Sequence, residues 1–325
     1  MVQRLIMKQN VRILVTGCCG FIGAAVVYRL IKSNFEITGI DNLNDYYSQT
    51  LKNDRLATSG LGAGNYRFHV VDIKDQEELH QLFNINKFHI VYHFAAQAGV
   101  QYSLENPEDV MHQNINGFFN ILEMCRQYKV GKLIYASSSS VYGNEHGNDN
   151  CNSPISFYAA TKKSNEVMAH SYHKLHGFDC IGLRFYTVYG EMGRPDMAVL
   201  KFIDMIEKGK EIELYNNGEN YRDYTYIDDT VLLTIKASKL NGYKIVDIGK
   251  GNPISTNELI AEIEKALGKK AKIKRVGKIL GDVEITKSPS QNKGVSLEEG
   301  IRKTVDWYRK FPYNLNVKRN GVANR

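Results

Sequence analysis

Gly17-Cys18-Cys19-Gly20-Phe21-Ile22-Gly23 joins the β-branched run Val11-Arg12-Ile13-Leu14-Val15-Thr16 to a helical pattern at residues 24–31. A strand that turns straight into a helix on Gly-x-x-Gly-x-x-Gly spacing predicts a βαβ unit with a buried parallel strand. Gly17 permits the tight turn, Gly20 lets the backbone approach a pyrophosphate, and Gly23 lets the helix pack on the strand. Phe21 and Ile22 open the helix whose N-terminus faces that anion. The next strand, residues 35–40, ends in Asp41-Asn42. A carboxylate there accepts hydrogen bonds from an adenosine ribose and repels a 2′-phosphate. No arginine follows, so the cofactor expected is NAD rather than NADP.

The alternation continues. Strands are predicted at 66–71, 88–93, 132–136 and 180–185, with helices at 75–83 and, as one long pattern containing Asn114, at 107–128. Repeated βα units with right-handed crossovers predict an α/β fold with a doubly wound parallel sheet of Rossmann type. Asp72 and Ile73 are placed to meet the adenine edge. The small residues around Ala95, Ala96 and Gln97 leave room for the cofactor at the carboxyl edge of the sheet. His89 and His93 read as strand-end residues rather than ligands, and no metal is expected. Ser137-Ser138-Ser139-Ser140-Val141-Tyr142-Gly143 follows a buried strand, which favours a site loop over a flexible linker.

From residue 186 the pattern is less regular. A helix is expected at 199–208, a strand at 211–215 and a turn at Asn216-Asn217-Gly218. The stretch 222–229 returns toward the sheet, followed by a helix at 230–240, a strand at 244–248 and helices at 256–267 and 297–308. The expected division is an NAD-binding domain at 1–185, with 222–249 returning to it, and a smaller, mainly substrate-binding α/β domain at 186–325. The tail from residue 314 is expected to be mobile.

Ser153-Pro154 followed by good helix formers predicts a helix start. On that helix Tyr158 and Lys162 lie one turn apart on one face, whereas Lys163 points elsewhere. A phenol with an ordinary pKa of about 10 is a poor base at neutral pH. The expectation is that the Lys162 ammonium pulls it toward working range. Composition narrows the partners. Net charge is +7 in 325 residues, and the densest basic cluster, Lys269, Lys270, Lys272, Lys274, Arg275 and Lys278, reads as a solvated face. No basic tract is interleaved with aromatics, so no nucleic-acid partner is expected. The five cysteines have no framework spacing and fit reduced thiols in the cytoplasm. No stretch has signal-peptide or membrane-spanning length, so no membrane partner is expected.

Taken together, the glycine turn, the serine loop and Tyr158-Lys162 resemble the extended short-chain dehydrogenase/reductase family over about residues 11–310. Within it, Ala96-Gln97-Ala98-Gly99-Val100, residues 157–170, and Thr187-Val188-Tyr189-Gly190 through Gly193-Arg194-Pro195-Asp196-Met197 are similar to the UDP-glucuronate 4-epimerases. The resemblance implies a catalytic triad of Ser138, Tyr158 and Lys162, with Asn114 on the cofactor side. Tyr215 would stack on uracil and Arg222 would neutralise the diphosphate. The implied reaction is NAD-dependent 4-epimerisation of UDP-glucuronic to UDP-galacturonic acid through a 4-keto sugar. Ser139, Ser140 and Thr187 would hold the uronate carboxylate, with Arg194 as its charge partner.

Two other chemistries stay open: 4-epimerisation of UDP-glucose or UDP-N-acetylglucosamine, and UDP-glucuronate decarboxylation. A non-catalytic NAD sensor on the same fold is a further alternative, against which the intact triad argues. A 4,6-dehydratase is excluded, because Ser139 and Ser140 replace the acid-base pair it needs. The chain departs from the family at Gln101, where arginine is usual, at the bulkier Cys18-Cys19, and between 283 and 295, where an element of the substrate domain is shorter than usual beside Asp282. Relatives usually pair through the helices holding Asn114 and Tyr158. The apolar Phe118, Phe119, Ile121, Leu122 and Met124 fit such a homodimer.

Overall fold

The computed structural model describes residues 11–33, 35–144, 153–277, 283–311, 313, 315 and 317. Cys151, Lys278, Asp282, Lys318, Arg319 and Arg325 lie outside the described residues.

The strands are β1 (Val11–Thr16), β2 (Phe35–Asp41), β3 (Tyr66–Val70), β4 (Ile90–His93), β5 (Lys132–Ser138), β6 (Asp179–Phe185), β7 (Thr187–Tyr189), β8 (Glu211–Tyr215), β9 (Tyr221–Tyr226), β10 (Tyr243–Ile248), β11 (Pro253–Ser255) and β12 (Lys272–Val276). Seven form one sheet in the order β10-β6-β5-β4-β1-β2-β3. Every neighbouring pair is parallel. The register sets Thr16 beside both Ile40 and His93, and Ser138 beside Phe185. All these strands therefore deliver their carboxyl ends to a common edge, where open α/β sheets bind ligands.

The helices are α1 (Phe21–Leu30), α2 (Gln49–Thr58), α3 (Gln76–Asn86), α4 (Val100–Glu105), α5 (Pro107–Met111), α6 (Gly117–Gln127), α7 (Phe157–His176), α8 (Ala198–Glu207), α9 (Ile227–Ala237), α10 (Thr256–Leu267) and α11 (Leu297–Lys310). Side chains alternate across a strand, so Ile13 and Val15 enter one core with Val26 and Val27 of α1. Leu14 enters the other, with Leu79 of α3 and Phe118 and Ile121 of α6. The doubly wound parallel sheet is as expected. A three-stranded sheet, β11-β9-β7, and the parallel pair β8–β12 make up most of the strand structure of the second half.

Several expectations need correcting. The helix expected at 107–128 is broken by one π-helical turn, His112–Asn116. There the Asn165 amide donates to the Asn114 carbonyl at 2.7 Å, and the Asn114 side chain leaves the helix surface to grip the Gln97 backbone. The Tyr158 helix starts later than Ser153-Pro154. Its N-cap is Ser156, whose hydroxyl accepts the Ala159 N–H, as a good cap does. The tail is not free throughout, since Val317 forms an antiparallel bridge with Tyr47. Near 283–295, residues 284–286 run beside the start of β9, with Tyr221 bonded to Glu284 and Thr286. Helix α2 and strands β7, β11 and β12 were not anticipated.

The basic cluster is a solvated face. Lys269, Lys270 and Lys274 each pair with a glutamate, and Arg275 caps the Asn217 carbonyl. No helix among the described residues is long and apolar enough to cross a membrane.

Candidate active site

At the carboxyl edge of the sheet lies a cavity of about 370 Å³. The turn after β1 forms its floor. Gly17 has φ +68°, and a Cβ there would sit 2.6 Å from the Ala95 nitrogen; at Gly23 it would collide with the Gly17 carbonyl. Helix α1 begins at the cavity with no side-chain cap and no acidic residue in its first turn. Its unclaimed N–H groups and dipole are free for an anion. Asp41, at the end of β2, lines the same wall, and its carboxylate accepts the Cys19 and Leu43 N–H groups. Gly17, Gly20, Phe21, Ile22, Gly23, Asp41, Asn42, Ile73, Ala95, Ala96 and Gln97 all border the cavity. A glycine cradle, an open helix start and a carboxylate at the end of the neighbouring strand fit a dinucleotide.

On the opposite side, β5 ends at Ser138 and a short 3₁₀ turn carries Ser139 and Ser140. Ser138 Oγ accepts the Ser140 N–H at 3.2 Å and lines the cavity together with Tyr158. Burial raises the phenol pKa, while the Ser138 hydroxyl and the Arg194 charge pull it down. Lys162, 3% exposed, donates to the Ala136 carbonyl at 3.0 Å, and burial pushes it down to about 8. The expected pull of Lys162 on the phenol is thus corrected: its ammonium is turned to the backbone, and the side-chain charge acting on the phenol is Arg194. His93 is a core residue as expected. Its ring bonds Thr16, and burial holds it down to about 3.

Thr187 and Arg194 line the cavity beside Ser139 and Ser140. The Arg194 guanidinium is already engaged, with Asp196 (Nε–O 3.0 Å) and the Ala98 carbonyl. Arg222 also reaches the wall and donates to the Tyr221 and Glu284 carbonyls. Three sequence candidates do not line the cavity. Asp72 stands behind Asn42, whose amide it accepts. Asn114 acts through Gln97 and Thr161, and Tyr215 bonds Glu213 on its own strand. Gln101 is exposed and does not line the cavity.

Sequence reading missed Tyr46, Tyr47 and Lys52, which come from the loop after β2 and from α2. The signal was the tyrosine pair followed by buried cations at helical spacing, Lys52 and Arg55. Val283 and Thr286 were missed because their segment joins the wall only through pairing with β9.

The model of the NAD dependent epimerase/dehydratase family matches residues 13–249. The UDP-glucuronate 4-epimerase of Thermodesulfobacterium geofontis is 40% identical over 307 residues, covering 90% of this chain and 95% of that protein. The CapI protein of Staphylococcus aureus is 40% identical over 332 residues, covering 92% and 99%. Among solved structures, the UDP-glucuronic acid 4-epimerase of Bacillus cereus, bound to UDP-glucuronic acid and NAD, superposes with a TM-score of 0.85. It is 31% identical and covers 92% of this chain and 99% of its own.

Proposed function

Because the chain belongs to the NAD dependent epimerase/dehydratase family, we propose that it interconverts UDP-glucuronic and UDP-galacturonic acid at C4, using NAD that stays bound. The observation that carries this reading is the hydroxyl pair Ser138–Tyr158 in one cavity with three further hydroxyls, Ser139, Ser140 and Thr187, and with Arg194. Bound NAD supplies the hydride acceptor and then the donor at the sugar C4. Gly17, Gly20, Phe21, Ile22 and Gly23 hold its pyrophosphate, and Asp41 with Asn42 its ribose. Ile73 and, through Asn42, Asp72 border its adenine, and Ala95, Ala96 and Gln97, braced by Asn114, its nicotinamide side.

Tyr158 Oη takes the proton from the C4 hydroxyl and later returns it. Ser138 Oγ hydrogen-bonds the same oxygen as charge develops there. Lys162, fixed on Ala136, places a positive charge on the face of α7 that Tyr158 shares. The flat 4-keto sugar turns about its diphosphate, which Arg222 neutralises, and presents its other face. A 4-keto uronate is a β-keto acid that loses carbon dioxide when its carboxylate stands perpendicular to the carbonyl. Ser139, Ser140 and Thr187 hydrogen-bond that carboxylate in a non-reactive orientation, with Arg194 as countercharge. Tyr215 belongs to the uridine side through β8.

The functional division is residues 1–185 with 222–249 for NAD and 186–325 mainly for the UDP-sugar. The molecule works as a homodimer through α6 and α7, in the cytoplasm. Of the apolar residues expected at that contact, Phe118, Ile121, Leu122 and Met124 are buried in the core of the chain itself, whereas Phe119, with Met111 on the first helix run and Val167 on α7, is exposed; Cys18, Cys19, Cys125 and Cys180 are free buried thiols.

Chromatography of products from UDP-glucuronate, UDP-glucose and UDP-N-acetylglucosamine, without added NAD, tests the reading. UDP-galacturonate is the expected product. Turnover confined to a neutral sugar overturns the substrate, and UDP-xylose as the main product overturns the reaction. Tyr158→Phe should cut turnover by roughly 10²- to 10⁴-fold with NAD still bound. Thr187→Val should raise the decarboxylated fraction; an unchanged product ratio removes Thr187 from carboxylate control.

A further inference from the structure

Arg55 is 1% exposed, and its guanidinium has no carboxylate within ion-pair distance among the described residues. Buried charges are ordinarily paired, so its partners call for an explanation. Nη1 donates to the Cys19 carbonyl at 3.2 Å, in the glycine turn, and to the Tyr47 hydroxyl at 2.6 Å. Nε donates to the Met192 carbonyl and Nη2 to the Gly193 carbonyl, each at 2.9 Å. The cation also lies over the rings of Phe21 and Tyr47, 5.9 and 5.2 Å from their centroids. One planar fork therefore spans the turn on which α1 starts and the 190–194 loop that ends in Arg194. That loop is under strain where the fork holds it, because Met192 is a non-glycine residue at φ +56°, a conformation that L side chains rarely adopt. Lys52, a second buried cation one turn earlier on α2, lines the cavity and donates to Asn44.

We propose that Arg55 is a positioning residue that couples the two halves of the site. It locks the cofactor turn and the Arg194 loop in one register, so that NAD retention and UDP-sugar affinity rise and fall together. Lysine keeps the charge but cannot reach acceptors on two loops at once, because only the guanidinium has a rigid fork of donors. The kinetic part of this inference rests on the epimerase reading; the cofactor part does not.

The test is Arg55→Lys in the purified holoenzyme. NAD released on denaturation is measured by chromatography, KM and kcat by product analysis at saturating added NAD, and UDP binding by calorimetry. The expected result is a roughly ten-fold loss in both NAD retention and UDP affinity, within the usual span of coupled sites. KM should rise and kcat should hold within about two-fold, as for lost uniform binding. A lower melting temperature with both affinities unchanged, or a change at one ligand alone, overturns the coupling. Should the variant not fold, hydrogen exchange on the unmutated holoenzyme decides. UDP should slow exchange at residues 18–24 as well as at 190–197, and protection confined to 190–197 overturns the coupling. An unmutated enzyme inactive on UDP-glucuronate would instead sink the function proposed above, leaving the cofactor result to judge Arg55.

Discussion

Lys162 is the residue whose energetics and role pull against each other. Its ammonium is buried with one backbone acceptor, and its pKa falls from 10.5 to about 8. The unfolded chain therefore binds the proton more tightly, and in this range stability rises with pH. In NAD-free protein, Lys162→Met should raise stability at pH 7 by roughly 1–3 kcal/mol, read by urea denaturation, while abolishing turnover. The advantage should shrink as pH climbs from about 8 to 10.5, because the wild-type lysine then gives up its proton in the folded state. Equal stability at every pH would show that the site carries no such strain. Spacing alone put Tyr158 and Lys162 on one helix face. It could not show that the ammonium turns to Ala136, since that acceptor belongs to a strand far away in sequence.

At the scale of elements, the strongly patterned stretches were legible: α10 and β8 fall on the residues expected, and β1 through α1 follow the glycine turn. What escaped is what local pattern cannot encode. Helix α2 opens on Gln49 with little apolar periodicity, and its buried side chains include Lys52 and Arg55. The π-turn at His112–Asn116 answers to a partner on α7, not to its own sequence. The helix faces also carry a prediction about assembly. Phe119 is 43% exposed on α6 and Val167 60% exposed on α7. If the proposed homodimer forms through these helices, Phe119→Asp should shift sedimentation toward the monomer; an unchanged profile would remove Phe119 from the contact.

Across the whole molecule, one buried carboxylate ties three segments of the second half together. Asp223, fully enclosed beside Arg222, accepts the N–H groups of Lys250 (3.0 Å), Gly251 (2.7 Å) and Ser288 (3.0 Å). It thereby joins β9 to the turn after β10 and to the 283–288 strap that brings Thr286 to the cavity. Asp223→Asn replaces an acceptor with a donor, and a buried mismatch costs about 1–3 kcal/mol. The UDP-sugar KM should rise roughly ten-fold with NAD content unchanged; a normal KM would mean that the strap seats itself. None of these contacts was visible in the sequence, since each joins segments tens of residues apart, whereas most of the residues the sequence singled out do line the cavity.

Strand β10 forms the outer edge against β6, and Val317 pairs with Tyr47 at the rim. A ribosome that has made only the first 185 residues has thus released a sheet lacking one border and a rim lacking its clasp. Residue 317 must be made before the rim can close over Tyr47, and a fusion partner spliced on just past it would sit beside the cavity wall that Tyr47 lines.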